Sequence, residues 1–347
     1  MKKWVKPIIV FLLISGVIGG LTMVSGIVPI GASGGHWPIT EWILSFSMER
    51  SIKTRSIMLE SPDLNDPAMI QRGAGHYEIG CRHCHGTIDK TNFLGTKSTP
   101  EAPLLSEEIP HWKARELFKI VKHGVKFTGM PAWPSLERED EIWDVVAFLL
   151  HFKKINDDDY HDIIGTKDII DPFIKKCSIC HGSDGNGRLD GAFPKLSGQN
   201  EVYLESSLHS YKKGERNSGT MELVAHSLEK ESIRELARYF SKQPRTHTKS
   251  NAPLESIERG RKIAEEGIKP QHVAACISCH GSTNPHFPDL RGQPAGYLRT
   301  QLKLFMEEKR GGSAYKILME KAVMKLSPSQ IEDVSNYYES LVFKKKN

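Results

Sequence analysis

The fold class that the sequence predicts is helical: three small domains in tandem, each closed by an amphipathic helix, behind one N-terminal helix that crosses a membrane. Three observations carry this. A Cys-x-x-Cys-His-Gly motif occurs three times, the second half of the chain repeats itself, and the N-terminus holds a long uncharged apolar run.

The apolar run comes first. From Pro7 to Thr40 there is no Asp, Glu, Lys or Arg, and Ile8 to Ile30 is long enough to cross a hydrocarbon core as a helix. Lys2, Lys3 and Lys6 precede it, so the positive-inside rule puts the N-terminus in the cytoplasm and the rest of the chain outside. A cleavable signal peptide would have a shorter apolar region ending at a small-x-small site, and no strong candidate for that site is present. An uncleaved single-pass anchor in a bacterial inner membrane is expected, with the remaining domains in the periplasm. Trp37, Trp42 and Phe46 follow where an aromatic belt would lie, although a packed linker helix accounts for them equally well. Residues 1–55 are assigned to this anchor and interfacial segment.

The remainder divides at 56–158, 159–247 and 248–347. Phe193 to Arg216, "FPKLSGQNEVYLESSLHSYKKGER", lines up with Phe287 to Arg310, "FPDLRGQPAGYLRTQLKLFMEEKR", so the last two domains are repeats. The first shares their motif and closing helix but lacks F-P-x-L-x-G-Q, which makes it a more distant relative. Each domain ends in a segment of helical apolar period: Ile142, Val145, Val146 and Leu149; Ile233, Leu236, Ala237 and Phe240; Ile331, Val334 and Tyr338. The last opens with Ser327 as N-cap, Pro328 at the first helical position and Gln330 to complete a capping box. Linkers are expected near Ile155 to Gly165 and Lys242 to Leu254, where charge, Pro, Ser and Thr replace the apolar period.

The motifs then define the chemistry. "CRHCHG" begins at Cys81, "CSICHG" at Cys177 and "CISCHG" at Cys276, and these use all six cysteines, leaving none for a disulfide framework or a free nucleophile. Structural zinc needs four closed ligands, and a His directly after its Cys pair is poorly placed to close a tetrahedron. A thioredoxin-like pair needs an activated thiolate in a βαβ setting, and no such pattern surrounds any motif. Covalent attachment of c-type haem uses every residue: two thiols form thioethers and the adjacent imidazole binds iron. Three covalently bound haem c groups are therefore expected, on Cys81 and Cys84, Cys177 and Cys180, and Cys276 and Cys279, with His85, His181 and His280 as axial ligands. Domains this small bury little apolar area alone, so the macrocycle should supply much of each core.

The ligand opposite each His decides between carrier and enzyme, because Met completes the coordination sphere and raises the potential whereas an open position suits catalysis. Met130, in "KFTGMPAWPS", is the expected sixth ligand of the first site, with His123 as its rival. Met221 is expected at the second, with His226 or His209 as fallback, and Met319 at the third, aligned with Met221. Met324 remains an alternative there, and Met306 is read as core. Each proximal His also needs a partner for its other ring nitrogen; the backbone carbonyls of Pro194 and Pro288, and less plainly Pro103, stand at suitable positions, unless those prolines serve only as turns.

On these residues the chain resembles the class I cytochromes c. Residues from about 165 to 345 look like the dihaem cytochrome c-four family through "CSICHGSDGNG", "FPKLSGQ" and Met221, and again through "CISCHG", "FPDLRGQ" and Met319. The first domain resembles the single-haem modules in c-type subunits of haem-copper oxidases and membrane-bound dehydrogenases, through "CRHCHG" and "HGVKFTGMPAWPS". The resemblance implies small all-α class I haem domains, His/Met iron and electron transfer. One departure concerns the second domain, whose lead-in "DIIDPFIKKC" lacks the Gly-containing first helix visible as "SIERGRKIAEEG" in the third.

No separate catalytic constellation is visible, so the expected function is electron carriage between a respiratory donor, quinol-linked or a dehydrogenase, and a terminal oxidase. The chain could act alone or as the cytochrome subunit of a larger oxidase or dehydrogenase. The alternative is a multihaem peroxidase or sulfur-compound oxidoreductase; a Cys-ligated sulfur enzyme is excluded because every cysteine is spent. The formal charge of +5 is unevenly spread, with an acidic first domain and more basic second and third ones. That pattern fits steering of redox protein partners or plain solvated surface, and no nucleic-acid partner is expected.

Overall fold

The computed structural model describes residues 5–28, 31–152, 154–165, 172–188, 191–247, 249–281 and 284–343. Among these there is no strand; a single antiparallel bridge, Ile268 to Val273, is the one isolated β feature. Helix α1 (Val5–Val24) is 20 residues long with no buried residue. At 1.5 Å per residue it measures about 30 Å, the thickness of a hydrocarbon core. It stops short of the expected Ile30 because the chain turns at Gly26, whose φ is +69°.

Helix α2 (Pro38–Arg55) answers the question posed by its aromatics, since it has two apolar faces. Leu44, Met48 and Ile52, one turn apart, are half-buried, and α2 meets α7 (Ala114–His123). Trp37, Trp42 and Phe46 are exposed, with Trp42 stacked on Phe46 at 5.8 Å between ring centroids. The segment is thus a packed helix and an aromatic surface at once.

The first unit is built on helix α3 (Pro67–Gly80) crossing α8 (Glu139–Phe152). Between them in the chain lie α4 (Arg82–His85), α5 (Phe93–Thr96), α6 (Leu105–Glu108) and α7. The crossing is close because position 73 is glycine: a methyl there would overlap the Asp144 carbonyl. Arg72 clamps the contact with two hydrogen bonds to the Asp144 carboxylate, at 2.7 and 2.8 Å. Beneath it Tyr77, Phe148, Phe152 and Tyr160 form one buried aromatic group. Tyr160 comes from α9 (Asp157–Ile164), the stretch expected as a linker. The segment is more than a solvated link, because Asp157 accepts from Ile88 N–H at 2.9 Å while Tyr160 and Ile164 enter the core.

The third unit repeats the crossing. In α14 (Leu254–Glu266) a methyl at Gly260 would overlap the Asp333 carbonyl of α18 (Pro328–Ser340), and Arg259 grips the Asp333 carboxylate at 2.7 and 2.8 Å. The Arg-Gly pair and the Asp facing it are one device used twice. The expected capping box is present: Ser327 Oγ accepts from Gln330 N–H at 3.2 Å, and Gln330 Oε1 accepts from Ser327 N–H at 2.8 Å. Helices α15 (Ile277–His280), α16 (Ala295–Met306) and α17 (Lys316–Val323) lie between.

The second unit consists of α10 (Pro172–His181), α11 (Glu201–Lys212), α12 (Gly219–His226) and α13 (Lys230–Lys242). Its small core joins Ile174 to Leu204, Leu236, Ala237 and Phe240. In the place where the other units use a long first helix, it is covered by α3 of the first unit, which packs on both α10 and α12. The expected second linker is irregular but tied down: Arg245 is buried, donates to the carbonyls of Ser197 and Arg291, and lies over the Phe343 ring.

Candidate functional site

Each motif is a single helical turn. Spacing i, i+3 and i+4 puts both thiols and the imidazole on one face. The turn is closed by His85 N–H to Cys81 O at 2.9 Å in the first motif and by His280 N–H to Cys276 O at 3.0 Å in the third; in the second it forms the end of α10. Gly86 and Gly182 follow with φ of +74°, a backbone that turns the chain sharply away from the face just formed. At Gly86 any side chain would overlap the Lys90 carbonyl.

The imidazoles are fixed by the carbonyls expected from the sequence. His181 Nδ1 lies 3.0 Å from Pro194 O, His280 Nδ1 3.0 Å from Pro288 O, and His85 Nδ1 3.3 Å from Pro103 O. A carbonyl only accepts, so Nδ1 carries the proton in all three and Nε2 keeps its lone pair for a metal. Burial holds all three imidazoles below the ordinary 6.5, which keeps that lone pair available; the carbonyl contacts oppose it less strongly.

The thiols are equally informative. Burial pushes Cys81 and Cys180 up to about 12 and Cys177 and Cys276 up to about 11, so these sulfurs are protonated at neutral pH. Thiol redox chemistry needs an activated thiolate, which burial disfavours at these four sulfurs. Among the described residues no three His, Cys, Asp or Glu side chains gather as a metal-holding group.

A cavity of about 930 Å³ joins the second and third motifs. Cys177, Cys180, His181 and Met221 line one end, and Cys276, Cys279, His280 and Met319 line the other. Between them stand Arg216 and Arg310, only 6% and 7% exposed. Neither pairs with a carboxylate among the described residues; Arg310 donates to Gln301 Oε1 at 2.7 Å and to Tyr203 Oη at 3.3 Å, and Arg216 lies over the Tyr211 ring. Burial alone would raise the Tyr203 hydroxyl, but the two guanidiniums outweigh it and bring it to about 8. A buried cation without a counter-charge costs several kcal/mol, on the order of what a paired one recovers. The cavity is therefore suited to groups that are apolar over most of their surface and carry their own anions, as haem and its propionates do. The sequence reading missed both arginines, although they end the two aligned repeats. Gln199 and Gln293, also at matching repeat positions, exchange hydrogen bonds across this junction with the backbones of Asp289 and Lys195, at 2.7 to 3.0 Å.

The methionines are placed unequally. Met221 is on the first turn of α12, its N–H held by the Ser218 N-cap hydroxyl at 3.2 Å. Met319 lies in α17 and lines the cavity, whereas Met324 stands at the end of that helix, 55% exposed. Met306 packs in the third core. His226 is exposed and His209 sits 3.7 Å from Glu205, both away from the cavity lining. Met130 is half-buried in a turn pinned by Val125 N–H to Met130 O at 3.2 Å and Met130 N–H to Thr128 Oγ1 at 3.0 Å. Phe127 takes a φ of +63° to make that turn, and His123 is exposed at the end of α7.

Residues 68–149 match the family model of cytochrome c oxidase, cbb3-type, subunit III, and residues 257–341 match that of cytochrome c. The chain is 34% identical over 174 residues to cytochrome c4 of Pseudomonas aeruginosa, covering 48% of this chain and 83% of that protein. It is 31% identical over 187 residues to cytochrome c-552 of Acidithiobacillus ferridurans, covering 51% and 80% respectively. A thiosulfate dehydrogenase electron acceptor of Thiomonas intermedia is 29% identical over 171 residues, covering 48% and 78%. Among solved structures, reduced cytochrome c4 from Pseudomonas stutzeri aligns with a TM-score of 0.45 at 31% identity, covering 49% of this chain and 95% of that one.

Proposed function

This chain belongs to the class I c-type cytochromes, and we propose that it is a membrane-anchored trihaem electron carrier of the bacterial periplasm. That it is a multihaem electron-transfer cytochrome, with c4-like and oxidase-like modules, follows from its relatives. The finer reading assigns one haem c to each motif, through Cys81 and Cys84, Cys177 and Cys180, and Cys276 and Cys279, in domains spanning 56–158, 159–247 and 248–347. One observation carries it: all three motif imidazoles present Nε2 as a free lone pair, each oriented by a proline carbonyl.

When bound, each haem supplies a one-electron couple at iron. The chain's own residues set its conditions. His85, His181 and His280 would bind iron on one side and Met130, Met221 and Met319 on the other, where a neutral thioether would favour the reduced metal and raise the potential. Lining of the cavity by Met319 with Met324 exposed supports the former as ligand. Arg216 and Arg310, buried in the cavity wall between the second and third domains, would pair with the haem propionates.

Helix α1, uncovered along its whole length, supports a single-pass anchor in the inner membrane, with the haem domains outside. The donor is assigned to a quinol-linked enzyme or a dehydrogenase and the acceptor to a terminal oxidase, either as separate partners or as an assembly in which this chain is the cytochrome subunit. Relatedness to an electron acceptor of thiosulfate dehydrogenase supports a dehydrogenase as donor. Purified from membranes, the protein should be reduced by such a donor fraction and oxidised by an oxidase fraction; failure of both exchanges would overturn the carrier assignment.

A further inference from the structure

Helix α3 leads into the first motif, yet part of its surface belongs to the second. A methyl added at Gly75 would come 2.7 Å from Cys180 Sγ and 3.3 Å from the Phe193 ring. The bare backbone of α3 therefore lies directly on the second attachment sulfur. Six residues further on the same helix ends at Cys81, the first attachment sulfur, about 9 Å away along the axis. Cys81 and Cys180 pack into one apolar cluster, together with Tyr77, Ile79 and Ile179.

This contact is locked in place. Glu141, 4% exposed on α8, accepts from Ser218 Oγ at 2.6 Å and Gly219 N–H at 2.7 Å, both at the start of the helix that carries Met221. Arg138 pairs with Glu141 at 3.0 Å and donates to Asn217 O at 2.7 Å. The Trp133 indole lies so close to Gly219 that any side chain there would overlap it. His76 of α3 meets Thr220 Oγ1 through Nδ1 at 2.5 Å, and its Nε2 stands 3.8 Å from the Asp144 carboxylate. Fixed charges and backbone donors thus hold the first and second units in one orientation. The cause is legible in the fold: among the described residues the second unit has no helix before α10, and α3 packs on α10 and α12.

We propose that α3 is the bridge between the first and second redox centres, bringing their thioether edges together across one helix with Gly75 as the spacer. The inference rests on the haem assignment above. The second centre then exchanges electrons with the first through its thioether edge and with the third across the Arg216 and Arg310 junction, so the three form a line with the second in the middle. Each transfer takes one electron from a ferrous iron, leaving it ferric, to a ferric iron that becomes ferrous. No proton moves and no bond is made or broken.

The test uses the full-length holoprotein and Gly75→Leu, which drives a side chain between α3 and Cys180. Haem number is read first by intact mass: fewer than three in the unmodified protein would refute the haem assignment itself, separately from the bridge. With three present, pulsed EPR of the oxidised protein should give two short inter-iron couplings and one long one. Gly75→Leu should lengthen one short distance and leave the other unchanged, and electron equilibration after photochemical reduction should slow severalfold. Unaltered couplings and equilibration in Gly75→Leu would overturn the bridge. Should Gly75→Leu fail to fold, Glu141→Gln, which weakens the lock without filling the contact, is expected to lengthen the same distance; no response there would overturn the proposal equally.

Discussion

Met221 is held at two points, by its own cap and by the cavity wall, so its replacement tests coordination with little disturbance of the fold. Met221→His should lower the potential of one centre, by part of the roughly 0.8 V range that axial ligands span, and leave the other two nearly unchanged. Met319→His should act likewise on a different centre while Met324→His leaves all potentials in place, as potentiometric titration will read. The motif residues and the prolines that orient their imidazoles were legible because each demand is local: a fixed spacing, or a carbonyl a short loop away. Arg216 and Arg310 were hidden because their role appears only when two domains bring two buried cations to one cavity. Asp140 carries a separate, local effect, since its partner Arg138 is two residues away. Burial would raise its carboxyl, but the charge and paired hydrogen bonds of Arg138 prevail and hold it below the ordinary 3.8. A depressed carboxyl contributes stability that is complete above 3.8 and is lost as pH falls through its lower folded-state value. Denaturant midpoints measured against pH should therefore fall below about pH 4, and Asp140→Asn should remove that part of the slope.

Helix crossings and caps decide where these side chains stand. Gly73→Ala or Gly260→Ala places a methyl against a backbone carbonyl, which cannot move without separating two helices. Each should cost about 3 kcal/mol in chemical denaturation. Ser218→Ala removes the N-cap of α12 together with a hydrogen bond to the buried Glu141 carboxylate, for an expected loss of about 3 kcal/mol. The closing helices and the Ser327 capping box were readable because periodicity and capping are properties of contiguous sequence. Helix α9 was not, since "NDDDYHDII" has the composition of a linker and folds only because Asp157, Tyr160 and Ile164 find partners far away in the chain. The short lead-in of the second unit was visible in the sequence. Its remedy, borrowing α3 from the first unit, was not, because that depends on contacts far apart in the chain, such as His76 to Thr220, 144 residues apart.

For the molecule as a whole, α1 should confer membrane retention and the rest of the chain should fold without it. A chain beginning after residue 36, exported behind a cleavable signal peptide, is expected in the soluble periplasmic fraction with its haem spectrum intact. The exposed aromatics of α2 should leave it a weak, reversible affinity for vesicles that Trp42→Ser with Phe46→Ser abolishes; a truncated chain that still sediments quantitatively after those changes would show that retention has another source. With the proposed anchor, the order of centres proposed from α3 and the arginine junction would make this a tethered relay whose first domain stays close to the membrane. Everything in that picture depends on three haems with His and Met at iron. The most direct measurement is the intact mass of the purified holoprotein, taken with its redox-resolved absorption spectrum. We expect a mass increased by three haems and, on oxidation, the methionine-to-ferric-iron band; a mass showing fewer than three, or a fully haemylated protein without that band, would refute three His/Met haem centres.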